Sequence, residues 1–390
     1  MSPETMTAGT GLDFELTESQ TAIEELARDF AEKEMRPVVM KYDESQEFPF
    51  EIVQKLGELG FMGITWPEEL GGAGLTELEA TIIIEEIAKV DPSVALTVAS
   101  HNSLCTGHIM LFGSDEQKKN YVPDLASGRK LGAWGLTEPG SGSDSGGMKT
   151  IATRDGKDWI VNGGKTFITQ GSVGSTYVIM TVTDRDKGKS SISALILEKG
   201  MKGFTIGKKE NKLGMRCSDT ATLIFENVRV PGENLIGNVG DGFKQALRVL
   251  DGGRIGIAAL SVGIAQGALD ASLKYSQERK QFGKSLADFQ AIQWKLADMA
   301  TEIHAARFLT RKAAWMKMKG LDVNLAAAEA KYFASEAAVR ATNEAVQIHG
   351  GYGFIKEFPV EKLYRDVKLM TIGEGTSEVQ KMVIARNLLK

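Results

Sequence analysis

The sequence predicts an α+β protein of three units in series: a helical unit over 13–130, a mostly antiparallel, barrel-like β unit over 131–235 and a helical bundle over 236–390. Three observations carry this expectation. Apolar residues recur at helical spacing through the first third, alternation and turn signals replace them after Lys130, and helical spacing returns at Gly242 and persists to the end. A chain of 390 residues exceeds the usual size of one hydrophobic core, so two or three packed units are expected.

In the first unit, 19–33 places Ile23, Leu26, Ala27, Phe30 and Ala31 on one helical face. Pro49 suits the first turn of a second helix, with Ile52, Val53, Leu56 and Leu59 inward. Residues 66–74 are a loop, dense in glycine and marked by Pro67. Thr76-x-x-Glu79 then fits a capping box that opens a helix over 78–90, and helices over 94–112 and 116–126 follow. In the second unit, 159–169 reads as two strands about an Asn162-Gly163 turn, and 176–182, 191–198 and 220–230 are further β-rich runs. In the third, 255–273 is rich in Gly, Ala and Ser, which allows close helix contacts. Residues 286–318 and 325–348 are long helices with mixed-charge outer faces.

Composition narrows the function classes. A net charge of −5 and the lack of a Lys/Arg-dense stripe argue against a nucleic-acid binder. Two cysteines, Cys105 and Cys217, exclude a disulfide framework and make a reducing compartment the default. The four histidines and two cysteines show no zinc-ligand spacing, so no metal is expected; His101 and His108, seven apart, read as structural or surface residues. No apolar run approaches transmembrane length, so no membrane insertion is expected. Met1–Leu12 is polar and resembles no targeting segment, so a loose tail and a cytoplasmic location are the expectation.

Several stretches could carry chemistry. Glu374 stands between Gly373 and Gly375 just before a helix in which Ser377 and Gln380 fit a capping box. It reads either as a solvated anion at a helix start or as a base on a backbone that a ligand can approach closely. Residues 134–147, with Gly135, Gly140, Gly142, Gly146 and Gly147 among hydroxyls, could offer backbone N–H groups to phosphate. They match no Rossmann, P-loop or nucleophile-elbow spacing, and a flexible loop remains open. Arg279 could clamp a phosphate and Phe282 could stack on a purine, before a helix opened by Ser285-x-x-Asp288. Residues 347–354 form a glycine-rich helix ending.

Taken together and in order, 134–147, Phe167-Ile168-Thr169, Gly253-Arg254-Ile255-Gly256, 279–283, 347–354 and 374–380 resemble the acyl-CoA dehydrogenase flavoprotein family. The resemblance runs from about Leu16 to Leu389, and 208–216 with 253–266 are most similar to its short-chain (butyryl-CoA) members. It implies a C-terminal four-helix bundle, one FAD per subunit and a homotetramer built as a dimer of dimers. It further implies that Thr137 and Thr169 bond the isoalloxazine and Ser143 the pyrophosphate, with Trp134, Leu136, Gly142 and Phe167 also at the cofactor. Arg279, Phe282, Gln290, Gln347 and Gly351 would hold the ADP half of a neighbouring subunit's FAD, and Thr376 and Glu378 would contact FAD as well.

By the same resemblance, Glu374 removes the α-proton of an acyl-CoA thioester while the β-hydrogen leaves as hydride to the flavin, giving a trans-2-enoyl-CoA. Ser143, Asp251, Arg254, Gly373 and Gly375 would join Glu374 around the substrate, and electrons would pass to electron-transfer flavoprotein. Isovaleryl-type relatives carry the base just before the equivalent of Arg254, where this chain has Gly253. Three departures stand out: Gly373 where Tyr is common, Phe167 for Trp, and Trp134 for Phe or Tyr. Loss of the bulky wall at Gly373 implies room for branched or cyclic short acyl groups. An acyl-CoA oxidase would use the same base and flavin, and a catalytically silent scaffold would keep only the fold.

Overall fold

The structure is a computed structural model that describes residues 15–390; the expected N-terminal tail lies outside them. Among the described residues, seven α-helices come first: α1 (Glu18–Phe30), α2 (Val39–Ser45), α3 (Phe50–Glu58), α4 (Glu77–Val90), α5 (Pro92–Ser100), α6 (Gly107–Phe112) and α7 (Asp115–Ala126). The capping box of Thr76 with Glu79 forms as expected, and Thr17 with Gln20 makes another at α1. The single helix expected over 94–112 is broken into α5 and α6 by a π-helical turn, His101–Thr106. That turn carries His101 inward, where its Nδ1 accepts from the Gly132 N–H (3.1 Å) and its Nε2 donates to the Leu125 carbonyl (2.9 Å).

The β unit comprises β1 (Gly132–Gly135), β2 (Ile151–Asp155), β3 (Asp158–Thr169), β4 (Thr176–Val182), β5 (Ile192–Glu198), β6 (Phe204–Lys209), β7 (Thr220–Val230) and β8 (Leu235–Ile236). The order is β6-β7-β3-β2-β4-β5-β8, with β1 parallel to β4. Hydrogen bonding leaves this path open, so the expected barrel is a sheet curled on itself. Tyr177 of β4 and Phe204 of β6 lie far apart in that order, yet their rings meet at 4.7 Å across the interior.

One turn was misplaced by the sequence pattern. The Asn162-Gly163 pair is not a hairpin turn but a bulge inside the continuous strand β3, where the register against β7 shifts between Val161 and Gly163. Gly163 takes φ 134°, and a Cβ there would meet Thr150 at 2.8 Å. The strand bends at the bulge because its two halves face different neighbours: 158–162 pairs with β2, and the rest with β7 alone.

The C-terminal unit contains α8 (Gly242–Glu278), α9 (Gln290–Met318), α10 (Asn324–His349), α11 (Val360–Asp366) and α12 (Ser377–Leu388), with a short hairpin of β9 (Lys280–Gln281) and β10 (Lys284–Ser285). The Ser285–Asp288 capping box forms, but it opens a 3₁₀ turn and α9 starts only at Gln290. Helix α8 is long and apolar enough to cross a bilayer, and it is the core helix, with 83% of its apolar window buried. Its small residues let α4 come close: a Cβ on Gly263 would lie 2.3 Å from the Glu85 carbonyl oxygen. The two helical units thus share one hydrophobic core, running from Ala27 to Met370. A buried ionic knot ties all three units: Lys362 reaches Asp91 (2.9 Å) and Asp366 (2.5 Å), and Asp366 accepts from the Met215 N–H.

Candidate active site

Glu374 occupies a turn of two consecutive left-handed residues, φ 52° at Glu374 and 94° at Gly375. Glycine accepts that geometry freely and glutamate does not, so the turn must be held from outside. Two side chains hold it. Gln380 Nε2 donates to the Glu374 and Gly375 carbonyls (3.2 and 3.0 Å), and Lys331 Nζ donates to the Gly375 carbonyl (2.7 Å). The expected capping box of Ser377 with Gln380 does not form: Thr376 caps α12 by accepting from the Val379 N–H, and Ser377 Oγ donates to Glu336. The reason is that Gln380 is occupied by the turn.

The turn aims the Glu374 carboxylate at α8, into a space made by Gly253. A Cβ on Gly253 would lie 2.1 Å from Glu374 Oε2 and 3.3 Å from Leu104 Cδ2. Oε2 is buried and has no hydrogen-bond partner. Burial therefore pushes the Glu374 carboxyl up to about 7, against the opposing pull of Lys331 and Arg254. Arg254 is buried beside it; its Nη1 pairs with Asp251 (2.7 Å) while its Nε is unpartnered. Asp251 also accepts from Asn324 (2.9 Å), which in turn accepts from Asn387 (2.8 Å). Asp251 is thus paired with the arginine that acts electrostatically on Glu374.

On the β side, the Thr166 N–H donates to the Thr137 carbonyl (2.9 Å), which sets 136–138 beside the end of β3. Lys165 fixes this junction from within: fully buried, it pairs with Glu138 (2.7 Å) and donates to the Leu136 carbonyl (3.1 Å). Glu138 in turn accepts from the Lys149 and Thr150 N–H groups. At the second β3 bulge Phe167 adopts φ 56°, which leaves its ring 64% exposed next to half-buried Thr169. Gly142 and Ser143 are exposed, and space is open around Gly140 and Gly142. Trp134 faces inward: its indole N–H donates to His108 Nδ1 (3.1 Å), and His108 bonds Gln245 (3.0 Å).

Arg279, Phe282, Gln290, Gln347 and Gly351 form a second, distant group. Arg279 lies over the Tyr352 ring (5.3 Å), near exposed Gln347 and Gly351. Phe282 and Gly283 form a two-residue turn between β9 and β10 with φ 52° and 81°, which thrusts the Phe282 ring out at 92% exposure. Gln290 is exposed at the start of α9. Arg279 follows Gly253 by 26 positions along α8, a separation of about 39 Å at 1.5 Å per residue. Gly373 and Thr376 flank the Glu374 turn, and Glu378 is exposed in the first turn of α12.

Sequence reasoning missed the parts played by Lys331, Gln380 and Lys165 and the fit of Gly253 against Glu374. One signal was available. Lys331 interrupts the apolar stripe of Ala327, Ala328, Ala334 and Ala338, and a lysine on the core face of a helix needs a reason.

Glu374 thus presents a buried, unpartnered carboxylate oxygen on a clamped left-handed turn, set against Gly253 of α8. The chain belongs to the acyl-CoA dehydrogenase family: the N-terminal, middle and C-terminal domains of that family match residues 17–129, 133–228 and 240–389. It is an oxidoreductase of that class, with the helical, β and helical domains in family order. It is 48% identical to the short-chain-specific acyl-CoA dehydrogenase of Clostridium acetobutylicum, over 97% of this chain and 100% of the relative. It is 46% identical to subunit CarC of the caffeyl-CoA reductase–Etf complex of Acetobacterium woodii, over 96% of this chain and 99% of the relative. The butyryl-CoA dehydrogenase structure from Megasphaera elsdenii superposes with a TM-score of 0.95 at 46% identity, covering 97% of this chain and 100% of that one.

Proposed function

We propose that the protein is a FAD-dependent dehydrogenase that converts a short-chain acyl-CoA to the trans-2-enoyl-CoA, with Glu374 as the base for the α-proton. The observation that carries this is the buried, unpartnered Oε2 of Glu374, held in its protonation range near neutrality by burial. A carboxylate that is hydrogen-bonded or solvated would be a weaker base, so the bare oxygen suits abstraction from a carbon acid. The Glu374 backbone N–H would hold the thioester oxygen and favour charge developing there. Asp251 and Arg254 would line the route to the base, and Ser143 would meet the substrate at the exposed rim.

The residues fit FAD. Exposed Phe167 offers a face to a flat ring system, Thr137 and Thr169 would bond its edge, and the open space at Gly140 and Gly142 would let backbone come close to a pyrophosphate. Leu136, Gly142 and Ser143 would complete that cradle, with Thr376 and Glu378 on the α12 side, while the inward-facing Trp134 would back it from the core. Bound FAD would supply the two-electron acceptor that no side chain provides.

The distance of about 39 Å along α8 supports assembly. Arg279, Phe282, Gln290, Gln347 and Gly351 would serve a neighbouring subunit's FAD, within a homotetramer. The CarC relative's place in a reductase–Etf complex supports electron-transfer flavoprotein as the acceptor. Gly373 supports branched or cyclic acyl groups alongside straight ones, since it carries no side chain and the nearest neighbours of its Cβ position, atoms of Leu369, lie at 3.5–3.7 Å.

The test is anaerobic bleaching of the flavin spectrum by a panel of butyryl, hexanoyl, 2-methylbutyryl, isobutyryl, isovaleryl, glutaryl and cyclohexanecarboxyl thioesters. Rapid bleaching by a short-chain member, lost in Glu374→Gln, is expected. A holoenzyme that none of them bleaches overturns the reading.

A further inference from the structure

Lys331 is a fully buried lysine on α10, set among alanines. An apolar side chain of similar length would suit that surface better, because a buried ammonium is costly unless its charge is used. Its hydrogen bond goes to the Gly375 carbonyl (2.7 Å), the peptide next to the base. The other charged groups around it are accounted for. On α8, Arg254 is paired with Asp251; on α10, Glu336 accepts from Ser377 Oγ (2.6 Å); on α12, Glu378 is exposed to solvent. Glu374 is the remaining counter-charge, and its Oε2 is the unpartnered atom.

We propose that Lys331 is the positioning residue of the base: it clamps the left-handed turn on which Glu374 stands and supplies the positive charge that keeps the carboxylate ionised. The proposal rests on the reading of Glu374 as the base. The clamp and the charge are separable functions of one ammonium. The clamp fixes where the carboxylate points, because Gly375 O belongs to the residue that follows Glu374 in the strained turn. The charge sets when the carboxylate is available, because a neighbouring cation favours the ionised form. Burial holds the ammonium down to about 8 while Glu374 draws it up, so it is charged at neutral pH.

Two substitutions separate these functions. Lys331→Met removes both, and Lys331→Gln keeps a donor without the charge. Flavin content and rates are normalised to bound FAD, and kcat/KM is followed against pH. The acid limb is expected to move up by roughly one to three pH units in both variants. The high-pH plateau of kcat is expected to fall about 100-fold in Lys331→Met, as for a base displaced by an ångström, and to stay within roughly threefold in Lys331→Gln. A second readout does not depend on turnover. The infrared carbonyl band of protonated Glu374, identified by its loss in Glu374→Gln, should titrate at higher pH in both variants.

An unshifted limb and an unshifted band overturn the proposal. Failure of both variants to form folded holoenzyme also overturns it, by assigning Lys331 to the fold. Full activity in Glu374→Gln overturns instead the reading of the base, which keeps the two failures distinct.

Discussion

Replacing Gly253 by alanine should disable the enzyme while strengthening its central helix. The added Cβ would lie 2.1 Å from Glu374 Oε2 and 3.0 Å from its Cδ, where ordinary contact begins at 3.4 Å. Relief requires the carboxylate to move by roughly 1.3 Å, and the carboxylate is the free end of a side chain, so it yields before the helix does. Misplacing a reacting group by about 1 Å costs on the order of 100-fold in rate. Alanine in a helix interior is favoured over glycine by about 0.5–1 kcal/mol, so the melting temperature should hold or rise. The assay is single-turnover flavin reduction by butyryl-CoA beside a thermal melt of the same preparation. A rate within twofold of the parent enzyme, with the fold intact, would refute the reasoning that α8 is carved to seat the base.

Other outcomes follow from the same geometry. Activity should fall on the acid side as Glu374 protonates, with the limb of kcat/KM near pH 7. The folded-state value of Glu374 lies above its ordinary 4.5, so its contribution to stability is greatest below that value and is lost as pH rises through about 7. Glu374→Gln should therefore raise the melting temperature more at pH 8 than at pH 5, and an equal change at both would count against burial as the cause. Lys165→Met strands the buried Glu138 carboxylate, which should destabilise the protein by about 3–5 kcal/mol and speed FAD release; an unchanged urea midpoint would contradict it. Gly373→Tyr should lower kcat/KM for branched and cyclic thioesters relative to butyryl-CoA. Its backbone is not left-handed and a Cβ there meets Leu369 only at ordinary contact distance, so equal rates across the panel would remove Gly373 as a determinant.

The order of helical, β and helical units was legible in the chain because periodicity is local: a 3.6-residue or a two-residue repeat is written wherever an element buries one face. Glu374 was legible for a related reason, since a carboxylate between two glycines before a helix cap already describes a turn. Pairing was not. The Asn162-Gly163 signal is the same for a hairpin and a bulge, and only the choice of β2 and β7 as partners decided between them. Gln380 looked like a capping residue until the turn claimed its amide. The contact between Glu374 and Gly253 spans 121 positions, and the clamp by Lys331 joins helices that are distant in sequence. By itself the sequence determined which elements form and which residue types could act as a base. The tertiary structure decided what surrounds Glu374, because burial and charge there come from α8 and α10, and desolvation exists only once those helices have met.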